Sequence, residues 1–129
     1  MLKTGILNPN IIELLARIRH TNTLVIADRG FPFWPMIETV DISLVDDIPT
    51  VLQVLTAIRE NFKIGRFWMA EEFRNENKTE VIAQFEHAMH GVQTVYEPHV
   101  AFKHRVPDTV GLIRTADTTQ YANIILESA

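Results

Sequence analysis

Cysteine is absent from all 129 residues. That absence removes disulfide frameworks, zinc–thiolate sites, iron–sulfur clusters and cysteine nucleophiles at once, and it fits a reducing, cytoplasmic compartment. A chain of this length is the size of one ordinary domain and buries roughly two-thirds of its unfolded surface, so it needs no covalent or metal staple. Clustered basic charge is also missing. Twelve Lys and Arg stand against sixteen Asp and Glu, a net charge of −4, and the basic residues are scattered. Phosphate backbones are held by clustered Lys and Arg, so no nucleic acid partner is expected. No apolar run approaches the length of a membrane span, and residues 1–10 carry no signal-peptide core, so no membrane partner is expected either. There is no glycine-rich phosphate loop and no Gly-x-Ser-x-Gly elbow. No linker, low-complexity tract or repeat interrupts the chain, which reads as a single domain over residues 1–129.

What is present is alternation. Asn8-Pro9 has the form of an N-cap followed by proline at the first helical position. Ile11, Ile12, Leu14, Leu15 and Ile18 then recur at helical spacing. Thr23 to Ala27 is a short continuous apolar run, as expected of a strand buried on both faces, and it stops at Asp28. Arg29 to Pro35 contains a glycine and two prolines and reads as a loop. Thr39 to Leu44 predicts a strand. Pro49 is expected to open a second helix with Val51, Leu52, Leu55 and Ile58 on its inner face. Phe67 to Ala70 predicts a strand ending at Glu71 and Glu72. Asn77 is expected to cap a third helix, and Pro98 to start a shorter fourth one. Thr94 to Tyr96, Leu112-Ile113 and Asn123 to Leu126 complete the strands. Helices alternating with strands give an α/β class with a mixed, mostly parallel sheet. Ligands in such folds gather beyond the carboxyl ends of the strands, where Asp28 and Glu71 are expected.

Several side chains there could carry chemistry. His20 ends the first helix, where it either caps the helix C-terminus or handles a proton near neutral pH. Asp28 either closes a turn on its own backbone or orients a hydroxyl. His99 and Lys103 are four apart on one helical face, either a solvated face or a base with a cationic neighbour. Tyr121-Ala122-Asn123 offers an aromatic face, a hydroxyl and an amide. Those groups suit a sugar's C–H faces and hydroxyl edges, or they simply begin a strand. Phe31, Phe33 and Trp34 add aromatic surface for packing or for sugar stacking. His87 and His90 fall opposite an apolar stripe and read as a solvated face, not as metal ligands, so no metal is assigned. Glu71 and Glu72, taken as neighbours in a strand, would point to opposite faces.

Read together, these pieces resemble a known family. His20-Thr21-Asn22-Thr23, an apolar strand, and then Asp28-Arg29-Gly30-Phe31-Pro32 resemble the N-terminal signature of the ribose pyranase and fucose mutarotase (RbsD/FucU-like) family. Gln53-Val54-Leu55, Ala70-Glu71-Glu72, His99 with Phe102-Lys103, Ile113-Arg114-Thr115 and Tyr121-Ala122-Asn123-Ile124-Ile125-Leu126 match in order along nearly the whole chain. The resemblance implies a Rossmann-like three-layer α/β/α sandwich and a cofactor-free isomerase that interconverts sugar ring forms, with D-ribose favoured. It also implies a ring-shaped homo-oligomer, a decamer built from pentamers, with the sugar near subunit interfaces. By resemblance His20 takes the proton-donor role. Asp28, His99, Tyr121 and Asn123 bind substrate, with Lys103 counted beside them. The chain departs from the pattern at Arg29, at Asn22 and in the bulky Phe33-Trp34-Pro35. Arg29 could pair with Asp28 or reach for an anionic sugar. The alternatives are L-fucose or another, possibly acidic, sugar as substrate, or a non-catalytic monosaccharide-binding oligomer.

Overall fold

The computed structural model covers residues 1–129. Its centre is a six-stranded sheet: β1 (Thr23–Ala27), β2 (Glu38–Asp41), β3 (Ile64–Ala70), β4 (Gln93–Glu97), β5 (Gly111–Arg114) and β6 (Ile124–Ser128). The spatial order is β2-β5-β1-β6-β3-β4. Strand β6 runs antiparallel to both β1 and β3, while the pairs β1–β5, β2–β5 and β3–β4 are parallel. Five strands therefore share one direction, and the opposed strand sits in the middle.

The period-two alternation of strand side chains divides the core in two. Leu24, Ile26, Phe67, Met69, Ile113, Ile124 and Leu126 face one side. They meet helices α1 (Pro9–Arg17), α2 (Val51–Arg59), α3 (Glu71–Glu76) and α4 (Thr79–Ala88). Val25, Ala27, Trp68, Leu112 and Ile125 face the other side. There they meet only α5 (His99–Arg105), the 3₁₀ turn Val106–Asp108 and the aromatic loop through Phe31 and Trp34. The result is a three-layer α/β/α arrangement with one thick and one thin outer layer. No helix is long and apolar enough to cross a membrane.

The start signal of α1 works as the sequence predicts: the Asn8 side chain accepts from the backbone N–H groups of Asn10 and Ile11, and Pro9 follows. Several boundaries differ. Pro49 does not open α2; Thr50 does, in a reciprocal capping box with Gln53, and Pro49 precedes it in a cis peptide bond. The strand expected over Thr39 to Leu44 is Glu38–Asp41, because Asp41 turns to accept from Ser43. Asn77 does not cap the helix that follows. Its amide donates back to the Phe73 carbonyl and across to the Gln120 carbonyl, both at 2.8 Å, closing α3. Glu71 and Glu72 form the first turn of α3, so the strand geometry expected for them does not hold.

Candidate active site

The shared carboxyl end of the parallel strands collects the chain's polar side chains. Asp28 follows β1, Glu72 follows β3, His99 follows β4 and Arg114 ends β5. Because β6 is antiparallel, Asn123 reaches the same edge by preceding its strand. Between these elements lies a cavity of about 250 Å³ lined by Asp28, Gly30, Phe31, Pro32, His99, Gln120, Tyr121 and Asn123. It is smaller than the roughly 300–1,000 Å³ of drug-sized sites, a volume suited to a small polar molecule.

Asp28 is held at both its main chain and its carboxylate. Its backbone N–H donates to the Asn123 Oδ1 at 2.8 Å, and its carboxylate accepts from the Gly30 N–H at 2.9 Å. Burial pushes its carboxyl above the usual carboxylate value, against hydrogen bonds from Gly30, Phe31 and Asn123, with the negative charge of Asp117 adding to the rise. Asp117 is itself buried, accepting from the Val51 and Thr119 N–H groups.

His99 sits on an aromatic bed. Its ring lies nearly parallel to Phe102 and edge-on to Tyr121, with centroids 6.2 and 5.1 Å away, and Phe31 approaches at 6.1 Å. Burial, then the neighbouring Lys103 charge, hold the imidazole below its ordinary value, while Glu72 and Asp28 pull the other way. Its Nδ1 is buried with no hydrogen-bond partner. The lowered value favours the neutral imidazole near neutral pH, and the His99 ring lines the cavity. Both Glu72 carboxylate oxygens accept from the His99 backbone N–H at 3.1 Å and fix where α5 starts. Tyr121 adopts a left-handed backbone, φ 53°. Residues other than glycine seldom do so, and such conformations cluster at functional sites.

Four of the six candidate residues therefore share one cavity: Asp28, His99, Tyr121 and Asn123. Lys103 lies one turn along α5 and faces an adjoining cavity of about 340 Å³ with Phe33, Trp34, Val100 and His104; the two cavities share Pro32. His20 is not in either. It stands exposed on the Arg19–Asn22 turn, beyond the opposite end of β1, where the Thr21 N–H donates to the Ser128 carbonyl. At the ordinary strand rise β1 alone separates that turn from Asp28 by roughly 16 Å.

Arg29 does not pair with Asp28; it pairs with Asp46 at 2.5 Å, out in solvent. Asn22 has a local reason: its side chain accepts from the Arg19 N–H, shaping the turn that presents His20. Phe31 packs on Trp34 and Phe102 and also lines the cavity, whereas Phe33 is 70% exposed. His87 and His90 lie exposed, with rings stacked 5.6 Å apart. No three His, Asp or Glu side chains converge on a point that could hold a metal ion. Sequence reasoning missed Gln120, Glu72 and Arg114 as parts of this region. The contiguity of Gln120 with Tyr121-Ala122-Asn123 was the available signal for the first.

The profile of the RbsD / FucU transport protein family matches residues 1–129. A D-ribose pyranase of Geobacillus kaustophilus is 39% identical over 128 residues, covering 99% of this chain and 93% of that protein. One from Limosilactobacillus fermentum is 32% identical over 128 residues, covering 99% and 97%. Bacillus subtilis RbsD, solved with D-ribose, superposes with a TM-score of 0.93 at 31% identity, over 100% of this chain and 98% of that one. A fucose mutarotase from Streptococcus pneumoniae, solved with L-fucose, shares the fold with a TM-score of 0.83 at 18% identity, covering 99% and 98%.

Proposed function

The chain belongs to the RbsD / FucU family, and from that premise we propose that it is an isomerase interconverting the ring forms of a monosaccharide, D-ribose in the first place. The observation that carries this reading is the convergence of Asp28, His99, Tyr121 and Asn123 on one small polar cavity. The pyranases it resembles along its full length favour ribose. Arg29 pairs with Asp46 and does not line the cavity, which favours a neutral sugar over an acidic one.

The chemistry is acid–base. The anomeric hydroxyl loses its proton, the C1–ring-oxygen bond breaks, and the ring oxygen takes up a proton, leaving an open-chain aldehyde. A different hydroxyl of the same molecule then adds to C1 with the reverse proton movements, and a pyranose has become a furanose. Nothing is oxidised, so the reaction needs no cofactor. Asp28, Asn123 and neutral His99 hold hydroxyls, Tyr121 supplies a flat face, and Lys103 closes the wall towards the adjoining cavity. His20 delivers the ring-oxygen proton.

Within one chain His20 cannot reach that cavity, so this role requires a second copy that presents its Arg19–Asn22 turn to the site. A homo-oligomer is therefore the working form, and the family resemblance implies that it is a ring-shaped, pentamer-based decamer. We place it in the cytoplasm, as one domain over residues 1–129. Exchange NMR on D-ribose and L-fucose tests the reading. The chain is expected to accelerate ribose pyranose–furanose exchange more than fucose anomer exchange, and His20→Ala should lower the ribose rate by about 10²–10⁴-fold. No acceleration of either sugar would refute it.

A further inference from the structure

The loop that walls one side of the cavity is held from outside. Arg114 ends β5 in register with Ala27, the last residue of β1. Its guanidinium crosses under the loop: Nη1 donates to the Asp28 carbonyl at 3.2 Å and Nη2 to the Pro32 carbonyl at 3.1 Å. The next residue continues the pattern, with the Thr115 N–H and hydroxyl both donating to the Ala27 carbonyl at 2.9 and 2.8 Å. Two residues on, the Asp117 carbonyl accepts from the Arg29 N–H at 3.0 Å. Residues 114–117 thus form a rail along residues 27–32, and Arg114 alone grips both ends of the loop.

We propose that Arg114 is a positioning residue for the sugar site: by bridging the Asp28 and Pro32 carbonyls it sets the span of the loop that carries the Asp28 carboxylate, the Gly30 N–H and the Phe31 ring. Arg114 does not line the cavity. It acts through the main chain. The effect reaches His99, because Phe31 packs against the His99 ring. A planar fork with two diverging N–H groups can hold two carbonyls at once, whereas a lysine ammonium is a single compact point on a flexible stem. Substitution by lysine keeps the charge and loses the bridge.

The proposal takes its substrate from the function proposed above, but the loop geometry can be read without any sugar. Two measurements on the full chain test it. In the first, Arg114→Lys and Arg114→Ala are compared with the wild type for ribose ring exchange. Both variants are expected to lose between about tenfold and 100-fold in kcat/KM, mostly through KM, because a displaced binding wall weakens productive orientation. In the second, amide hydrogen exchange is followed with no sugar present. The Gly30 and Phe31 N–H groups should exchange at least tenfold faster in both variants, while Val25 and Ile26 in β1 stay protected. Wild-type kcat/KM in Arg114→Lys, or unchanged Gly30 and Phe31 exchange in that variant, overturns the proposal. If Arg114→Ala does not fold, Arg114→Lys decides alone. A wild type that accelerates no sugar overturns the functional reading, and hydrogen exchange at Gly30 and Phe31 still decides whether Arg114 holds the loop.

Discussion

His99 and Asp28 are both taken out of water at the same cavity, and the cost falls on opposite protonation states. His99 is held below its ordinary value of 6.5. As pH falls below that value the unfolded chain takes up a proton that the folded chain refuses, so stability drops with acidity in that window. Urea titrations at pH 7.5 and 5.5 should show a loss of stability in the wild type that is smaller in His99→Gln. Asp28 is raised above 3.8. Between that value and its folded-state value the folded chain binds the extra proton, so this group's contribution to stability falls as pH rises and stays lost at neutrality. Asp28→Asn should therefore melt at an equal or higher temperature at pH 7, while ribose affinity, followed by calorimetric titration, falls by about 10- to 100-fold. At this scale the sequence was partly legible. His-x-x-x-Lys spacing and the Asp after an apolar strand marked two positions, yet each residue type also has a structural use. Neither the stranded Nδ1 of His99 nor the pairing of Arg29 with Asp46 has any signature in residue order.

Elements were legible where the local signal was self-contained. The apolar run of β1, the Asn8-Pro9 start of α1 and the stripe of α2 each depend on neighbours within a turn or two. Helix α3 was hidden because its six residues follow β3 without a break and its closing residue, Asn77, answers to Gln120 far along the chain. Helix α5 depends on Glu72 in the same way. Glu72→Ala removes both oxygens that accept from the His99 N–H and should cost about 1–2 kcal/mol in denaturant unfolding. Gly111 has the least room of the five glycines. A Cβ there would lie 2.8 Å from Leu14 Cδ1 and 3.1 Å from the Glu38 carbonyl oxygen. Gly111→Ala should therefore destabilise by about 1–3 kcal/mol through overpacking of α1 on β5. Trimming the contact with Leu14→Ala in the same chain should recover less than it costs, because Leu14 is fully buried.

For the whole molecule, the sequence indicated the α/β class and a mostly parallel sheet, since alternation is visible in one dimension. Residue order already put His20 and Asp28 at opposite ends of one strand, the arrangement that denies them a shared cavity within one chain. That separation follows from the direction of β1. If two copies complete each site, then His20→Ala copies mixed with Asn123→Ala copies under subunit exchange should recover ribose exchange well above either parent. Unmixed parents at equal concentration are the control, and light scattering should give a ten-chain mass.

Strand β6 has a consequence of another kind. It alone joins β2-β5-β1 to β3-β4, and its partner Val25 lies about a hundred residues upstream of Ile125, a long closure to search for. Only the β3-β4 leaf pairs segments close in the chain and can gain order early; β1 and β2 meet β5 across closures nearly as long, so the leaf β2-β5-β1 and the β6 seam both wait for the C-terminal strands. Ile125→Val should leave both leaves intact yet weaken their seam, so stopped-flow refolding would reveal how late in the reaction the molecule becomes one sheet.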